Sequence, residues 1–134
     1  MRSKKPRAIP VLWCQQQGYE LFVVTNQSGI ARGFFDLNFV YKTHDVMASF
    51  LQTQGIVIKQ WYICPHHPSE GTIKEFIKDC SCRKPKPGML LQAAHEHNLD
   101  LSQSLLFGDQ ESDLFAGRAA GCKVFNIAQY NKGK

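Results

Sequence analysis

Residues 64–89 read CPHHPSEGTIKEFIKDCSCRKPKPGM, and the rest of the chain is organised around this stretch. Cys64 and His66 form a C-x-H pair, and Cys80 and Cys82 form a C-x-C pair downstream. Two close pairs of soft donors separated by a loop are what a tetrahedral zinc site needs. Each pair bites from one turn, and the metal staples a loop too poor in apolar groups to fold by itself. Two other readings compete. As buried small hydrophobes the cysteines would be out of place, because Cys80-Ser81-Cys82 sits among charges. As disulfides they would suit a secreted protein, which nothing else in the chain resembles. A closed Cys3His set reads as structural rather than catalytic.

The 134 residues predict one domain with a modest core. A composition 43% hydrophobic and 20% charged is that of a globular protein. No apolar run reaches the length of a membrane span, and MRSKKPRAIP lacks the apolar centre of a signal peptide, so the expected compartment is the cytoplasm and no membrane partner is expected. Net charge is +5, carried partly by Arg2, Lys4, Lys5 and Arg7, read as a solvated tail, and partly by Arg83-Lys84-Pro85-Lys86 beside the metal loop. Nucleic acid is the rival partner for a basic zinc protein. It is set aside because the aromatics sit inside apolar runs rather than alternating with basic residues.

In chain order, residues 8–17 predict a short amphipathic helix ended by Gly18, with Pro10 in its first turn. Residues 19–24 (YELFVV) are too continuously apolar for a half-exposed strand and predict a buried strand of a parallel sheet. Residues 39–54, with Val40, Met47, Phe50 and Leu51 apolar and Asp36 or Asn38 as cap, predict a helix; residues 56–63 predict the next strand, leading into Cys64. Pro87 opens a helix over 88–98 whose buried side would carry Leu90, Leu91, Ala94 and His97. A strand at 105–107, a helix at 112–120 closed by Gly121, and a strand at 123–127 complete the alternation, with a frayed tail AQYNKGK. This is the pattern of an α/β, doubly wound, Rossmann-like parallel sheet. Cys14 and Cys122 read as core thiols, and His44, His95 and His97 as surface or satisfied core residues.

Three groups should meet at carboxyl ends of strands, where open α/β sheets bind ligands. Thr25-Asn26-Gln27-Ser28 offers a hydroxyl and backbone N–H groups suited to a phosphoryl oxygen. Asp109, directly after the 105–107 strand, would be costly there unless it pairs or binds a metal, and Glu111 and Asp113 could add oxygens for a hard cation such as Mg2+. Arg83 and Lys84 follow Cys82 directly, so a zinc-pinned loop would hold two cations in place. Singly, each has an ordinary reading: a turn, a helix N-cap at Ser112 or Asp113, a solvated basic cluster. In this order together they are hard to reach by accident.

VVTNQSGIARG, CPHHP, CxCRKPxPGM and GDxxxD together resemble the D-glycero-D-manno-heptose-1,7-bisphosphate 7-phosphatases, a zinc-containing, histidinol-phosphatase-like branch of the haloacid dehalogenase superfamily. The likeness runs from Gly18 to about Ile127. It implies that Thr25 orients the transferred phosphoryl group and Lys84 stabilises its charge. It also implies that Arg83 recognises the sugar phosphate and Asp109 ligates Mg2+. Thr25, Asn26, Gln27 and Ser28 would line the substrate site, with Cys64, His66, Cys80 and Cys82 on zinc. The implied substrate is a small sugar phosphate used in nucleotide-heptose synthesis for bacterial surface polysaccharide. Histidinol-phosphate phosphatase shares the layout with a typically shorter metal loop.

The sequence departs from this family in one important respect. The superfamily attacks phosphorus with the first carboxylate of an Asp-x-Asp at the end of the first strand, the second acting as general acid and base. No Asp precedes Asp36 here, and Asp36 has no buried strand before it and no second Asp at the right spacing. Gln110, where Lys is frequent in the family, is a lesser departure. The expectation is an N-terminally incomplete domain lacking its central first strand. Strands 19–24 and 56–63 would then fall on one side of the sheet, and 104–107 and 123–127 on the other. Family members are monomers by this resemblance, whereas unpaired inner edges would invite aggregation or capture of another strand. Such a chain would be inactive alone, or a non-catalytic phosphate-binding remnant.

Overall fold

The computed structural model describes residues 10–128; the basic N-terminal cluster and almost all of the tail expected to fray lie outside them. Helix α1 (Pro10–Gln16) and strand β1 (Leu21–Asn26) come first, then helices α2 (Gly29–Arg32) and α3 (Leu37–Thr53). Strand β2 (Ile58–Cys64) leads into the metal loop, which contains a 3-10 turn at Lys74–Phe76. Helix α4 (Gly88–His97), strand β3 (Leu105–Gly108), helix α5 (Glu111–Ala120) and strand β4 (Lys123–Asn126) follow. β1 pairs with β2, and β3 with β4, the latter in parallel register from Leu105 opposite Lys123 to Gly108 opposite Asn126. Among the described residues no ladder joins the two pairs, which is the division that strand order predicted. The fold is α/β.

The chain forms two compact units. One runs to Val23 and resumes over Asn38–Trp61; the other comprises Val24–Leu37 and everything from Tyr62 onward. In the first, Gln15 ties α1 to the turn after α3: its Nε2 donates to the Gly55 carbonyl at 2.6 Å and its Oε1 accepts from Val57 N–H at 2.8 Å. Helix α3 buries Val40 and His44, one turn apart, with Ala48 and Leu51 continuing the half-buried stripe. Of the apolar residues that mark the helix in the sequence, Met47 and Phe50 face outward, Phe50 63% exposed. His44 is 8% exposed, stacks on Trp61 with ring centroids 4.2 Å apart, and has no partner for Nδ1 among the described residues. Burial lowers its pKa, with the Asp45 carboxylate opposing.

In the second unit, α5 packs on β3 and β4, burying Leu114, Ala116 and Gly117. Gly121, at φ 91°, closes α5 by returning its N–H to the Arg118 carbonyl at 3.0 Å. Helix α4 is capped at its far end by Asn98 in the left-handed conformation. Its buried residues are Met89 and Ala93, with Leu90, Ala94 and His97 half-buried; Leu91, expected inside, is 49% exposed. The buried stripe therefore begins at Met89, one position earlier than the sequence suggests.

Candidate functional site

Every residue of the site lies in the second unit. Cys64 ends β2 and is fully buried, placing one sulfur at the mouth of the loop. Cys80 and Cys82 flank a tight turn held by its neighbours: Gly88 N–H donates to the Ser81 carbonyl at 2.8 Å and Lys86 Nζ to the Cys80 carbonyl at 3.0 Å. A Cβ at position 88 would strike that Ser81 carbonyl, so the glycine of the Pro-Gly-Met run lets α4 begin against the cysteine turn.

The four donor atoms of Cys64, His66, Cys80 and Cys82 lie within 4.8 Å of one another, as the motif predicted. A tetrahedral ion about 2.3 Å from sulfur and 2.0 Å from nitrogen needs donors roughly 3.5–3.8 Å apart. Cys64 Sγ lies 3.6 Å from both His66 Nδ1 and Cys80 Sγ. Cys82 Sγ lies 3.4 Å from both His66 Nδ1 and Cys80 Sγ. Cys82–Cys64, at 2.8 Å, is much closer and must open on coordination. Burial pushes the thiols of Cys64 and, more strongly, Cys82 upward, S–H bonding to Cys64 and Cys80 adding to the effect at Cys82. At Cys80 burial acts upward too, but the sulfhydryl of Cys82 and the Arg83 N–H hold the net value down. Burial, then Lys78, lowers the pKa of His66, which favours the neutral form that ligates. Three thiolates cannot share this volume without a cation among them.

The loop hands its cations to the end of β1. Asn26 makes two hydrogen bonds to the backbone of Lys84, its Nδ2 donating to the carbonyl at 3.2 Å and its Oδ1 accepting the N–H at 3.0 Å. The peptide between Lys84 and Pro85 is cis. Lys84 Nζ donates to the Val24 carbonyl at 3.1 Å and pairs with Asp113 Oδ1 at 2.5 Å, the two side chains being only 13% and 14% exposed. Arg83 Nη1 donates to the His66 carbonyl at 3.2 Å, so its guanidinium is held over the metal turn. Gln27 N–H donates to the carbonyl of Cys64 at 2.7 Å, tying the turn after β1 to the Cys/His cluster. Gln27 Nε2 donates to Thr25 Oγ1 at 3.1 Å, and the hydroxyl itself donates over a long 3.5 Å to the Asn26 carbonyl. Thr25, Asn26, Gln27 and Lys84 are thus brought together, with Asn26 holding the lysine segment through its side chain.

The acidic group differs from expectation. Asp109 follows β3 but is exposed, so no burial penalty demands a partner there. Asp113 has both oxygens engaged, Oδ1 by Lys84 and Oδ2 by the Gln110 N–H at 3.2 Å. It therefore closes a capping box with Gln110, displacing the cap expected at Ser112 or Asp113. Among the described residues the Cys/His set alone gathers three or more candidate ligands, so Asp109, Glu111 and Asp113 do not form an oxygen cage. Asp109 fits Mg2+ only as one carboxylate alongside phosphate oxygens and waters, a common arrangement for that ion.

The HAD-hydrolase-like family profile matches residues 81–129, the cysteine turn through β4. The D-glycero-beta-D-manno-heptose-1,7-bisphosphate 7-phosphatase of Haemophilus influenzae is 46% identical over 118 residues, 88% of this chain and 63% of its own length. The Pasteurella multocida protein of the same name is 45% identical over 117 residues, 87% of this chain and 61% of its own. Over most of its length this chain is similar to haloacid dehalogenase-like hydrolases. Solved structures of that family agree. The D,D-heptose 1,7-bisphosphate phosphatase of B. bronchiseptica, complexed with magnesium and phosphate, superposes with a TM-score of 0.74 at 35% identity, over 87% of this chain and 60% of its own. A protein from Mesorhizobium loti described as a HAD-like phosphatase gives 0.79, also at 35% identity, over 84% and 54%. The chain thus spans about three fifths of the length of the relatives it matches. No helix among the described residues is long and apolar enough to cross a membrane.

Proposed function

We propose that this chain carries the phosphate-holding and metal-loop portion of a Mg2+-dependent sugar-phosphate phosphatase acting on the 7-phosphate of heptose 1,7-bisphosphate. The observation that carries the proposal is the delivery of Lys84 to the end of β1, its backbone held by Asn26 and its ammonium 3.1 Å from the Val24 carbonyl. Phosphoryl transfer asks mainly for positioning and for cations where charge spreads over the phosphoryl oxygens. In this reading the Thr25 hydroxyl donates to one phosphoryl oxygen and Lys84 faces another. Arg83 reads a more distant group of the sugar phosphate, and Asp109 gives Mg2+ one carboxylate. Mg2+, when bound, neutralises developing charge on the phosphoryl oxygens. The ion in the Cys3His site is zinc, a structural staple that fixes Arg83 and Lys84.

No Asp precedes Asp36, so this segment has no Asp-x-Asp ahead of Thr25 to accept the phosphoryl group. The expected behaviour of the chain alone is binding without turnover. The test is isothermal titration with heptose 1,7-bisphosphate and with inorganic phosphate, beside a phosphate-release assay. Micromolar-to-millimolar binding that Thr25→Val and Lys84→Met both weaken, without release, agrees with the reading. Binding indifferent to both substitutions contradicts it.

A further inference from the structure

The second histidine of CPHHP and the segment that follows it lie outside the Cys/His cluster, yet they form a closely hydrogen-bonded loop in the second unit. His67 pairs through its backbone with both sides of the returning chain: its N–H donates to the Phe76 carbonyl at 3.1 Å, and its carbonyl accepts Lys78 N–H at 2.9 Å. Its Nδ1 accepts the N–H groups of Ser69 at 3.1 Å and Glu70 at 2.8 Å, so the imidazole serves as the inner wall of a turn. From that base an arm extends over α2. The Ala31 carbonyl accepts two N–H groups, from Thr72 at 2.9 Å and Ile73 at 3.0 Å, and Thr72 Oγ1 donates to the Arg32 carbonyl at 3.2 Å. Gly71, at φ 142°, passes so close that a Cβ there would collide with the Ala31 carbonyl. A Cβ at Gly33 would likewise meet Thr72 Oγ1. Ala31 and Ile30 are fully buried.

Helix α2 has four residues, too short to be stable by its own hydrogen bonds. What holds it determines the turn before it, because Ile30 N–H donates to the Gln27 carbonyl and Arg32 N–H to the Ser28 carbonyl, each at 3.0 Å. We propose that residues 70–73 are a clamp on α2, with His67, Gly71 and Thr72 as positioning residues that hold the Thr25–Ser28 turn in its binding form. The metal therefore reaches the phosphate turn by two routes: directly, from the Cys64 carbonyl to Gln27, and through the arm to α2. The effect on phosphate rests on the reading of that turn given above; the clamp itself does not.

The experiment compares the zinc-loaded chain with Gly71→Ala and Thr72→Val by amide hydrogen exchange, metal content and titration with inorganic phosphate. The clamp predicts that Gly71→Ala speeds exchange at Ile30, Arg32, Gly33 and Phe34 at least tenfold, that exchange in α5 is unchanged, and that one metal per chain is kept. Thr72→Val should move the same amides less. Phosphate affinity should fall at least fivefold in Gly71→Ala. Should Gly71→Ala lose its metal, the α2 amides of Thr72→Val decide. Unchanged α2 exchange in a metal-replete variant overturns the clamp, and faster exchange with unaltered phosphate affinity overturns its positioning role. If the parent chain binds no phosphate, the phosphate reading of the turn falls, and the exchange result alone still confirms or refutes the clamp.

Discussion

Replacing Lys84 with Met keeps most of the aliphatic stem and removes the charge, so it isolates what the ammonium does in a nearly enclosed place. Asp113, 14% exposed, would keep the Gln110 N–H but lose its cation, and the Val24 carbonyl would lose its donor. Breaking an enclosed pair by removing one partner costs about 3–5 kcal/mol. Residual water access to Asp113, its remaining hydrogen bond and solvent screening of the partly exposed pair bring that down to about 2 kcal/mol, and the lost ammonium–carbonyl hydrogen bond adds about 1 kcal/mol. The expected total is about 3 kcal/mol, a large share of a stability of roughly 5–15 kcal/mol. With a urea slope near 2 kcal/mol per molar, the midpoint of metal-loaded protein should fall by about 1.5 M. The double variant Lys84→Met/Asp113→Leu should lose clearly less than the sum of the single losses, by about 1–3 kcal/mol of coupling. Urea unfolding followed by circular dichroism of the four proteins measures all of this. A loss under about 1 kcal/mol in Lys84→Met at unchanged slope, or zero coupling, would show that the pair does not form in solution and that Lys84 is not held where the site needs it.

Other outcomes follow from the same structure. The folded-state pKa of His44 lies below its ordinary 6.5, so its contribution to stability is present above pH 6.5 and lost as pH falls through the lowered value. Thermal unfolding of the native chain should therefore weaken between pH 7 and pH 5 more than that of His44→Phe, which keeps the stack on Trp61; parallel pH curves for the two would contradict this. Tyr62, buried and donating to Glu96 at 2.5 Å, is pushed up to about 12, so its contribution holds below pH 10 and is lost as pH rises through about 12. Absorbance titration should lose that late phenol step in Tyr62→Phe. Gly88→Val should cost about 2–4 kcal/mol and slow metal uptake, because the branched side chain collides with the Ser81 carbonyl; a stability change under 1 kcal/mol would be the refuting result.

Most of the secondary structure was legible because local signals agreed with tertiary use. Gly121 stops α5, Pro87 starts α4, and the unbroken apolar run Leu21–Val24 lies in β1, each near where spacing places it. The gathering of Cys64, His66, Cys80 and Cys82 was legible because C-x-H and C-x-C have few other uses. Helix α2 was not, since four residues carry no periodicity and its shape comes from an arm some forty residues later. The inward side of α3 was not legible either: His44 holds a buried position stacked on Trp61, while the more hydrophobic Met47 and Phe50 are exposed. Nor could spacing tell that Asp113 would face Lys84 rather than join Asp109, since ion pairing depends on where the metal loop returns.

X-ray absorption at the zinc edge, on protein purified without chelators, bears most directly on the claim that a metal-pinned loop presents Lys84 to the end of β1. The expected spectrum is that of one zinc per chain with three sulfurs near 2.3 Å and one nitrogen near 2.0 Å. An absent metal, or a shell dominated by oxygen with Cys64, Cys80 and Cys82 all freely alkylated, would contradict it.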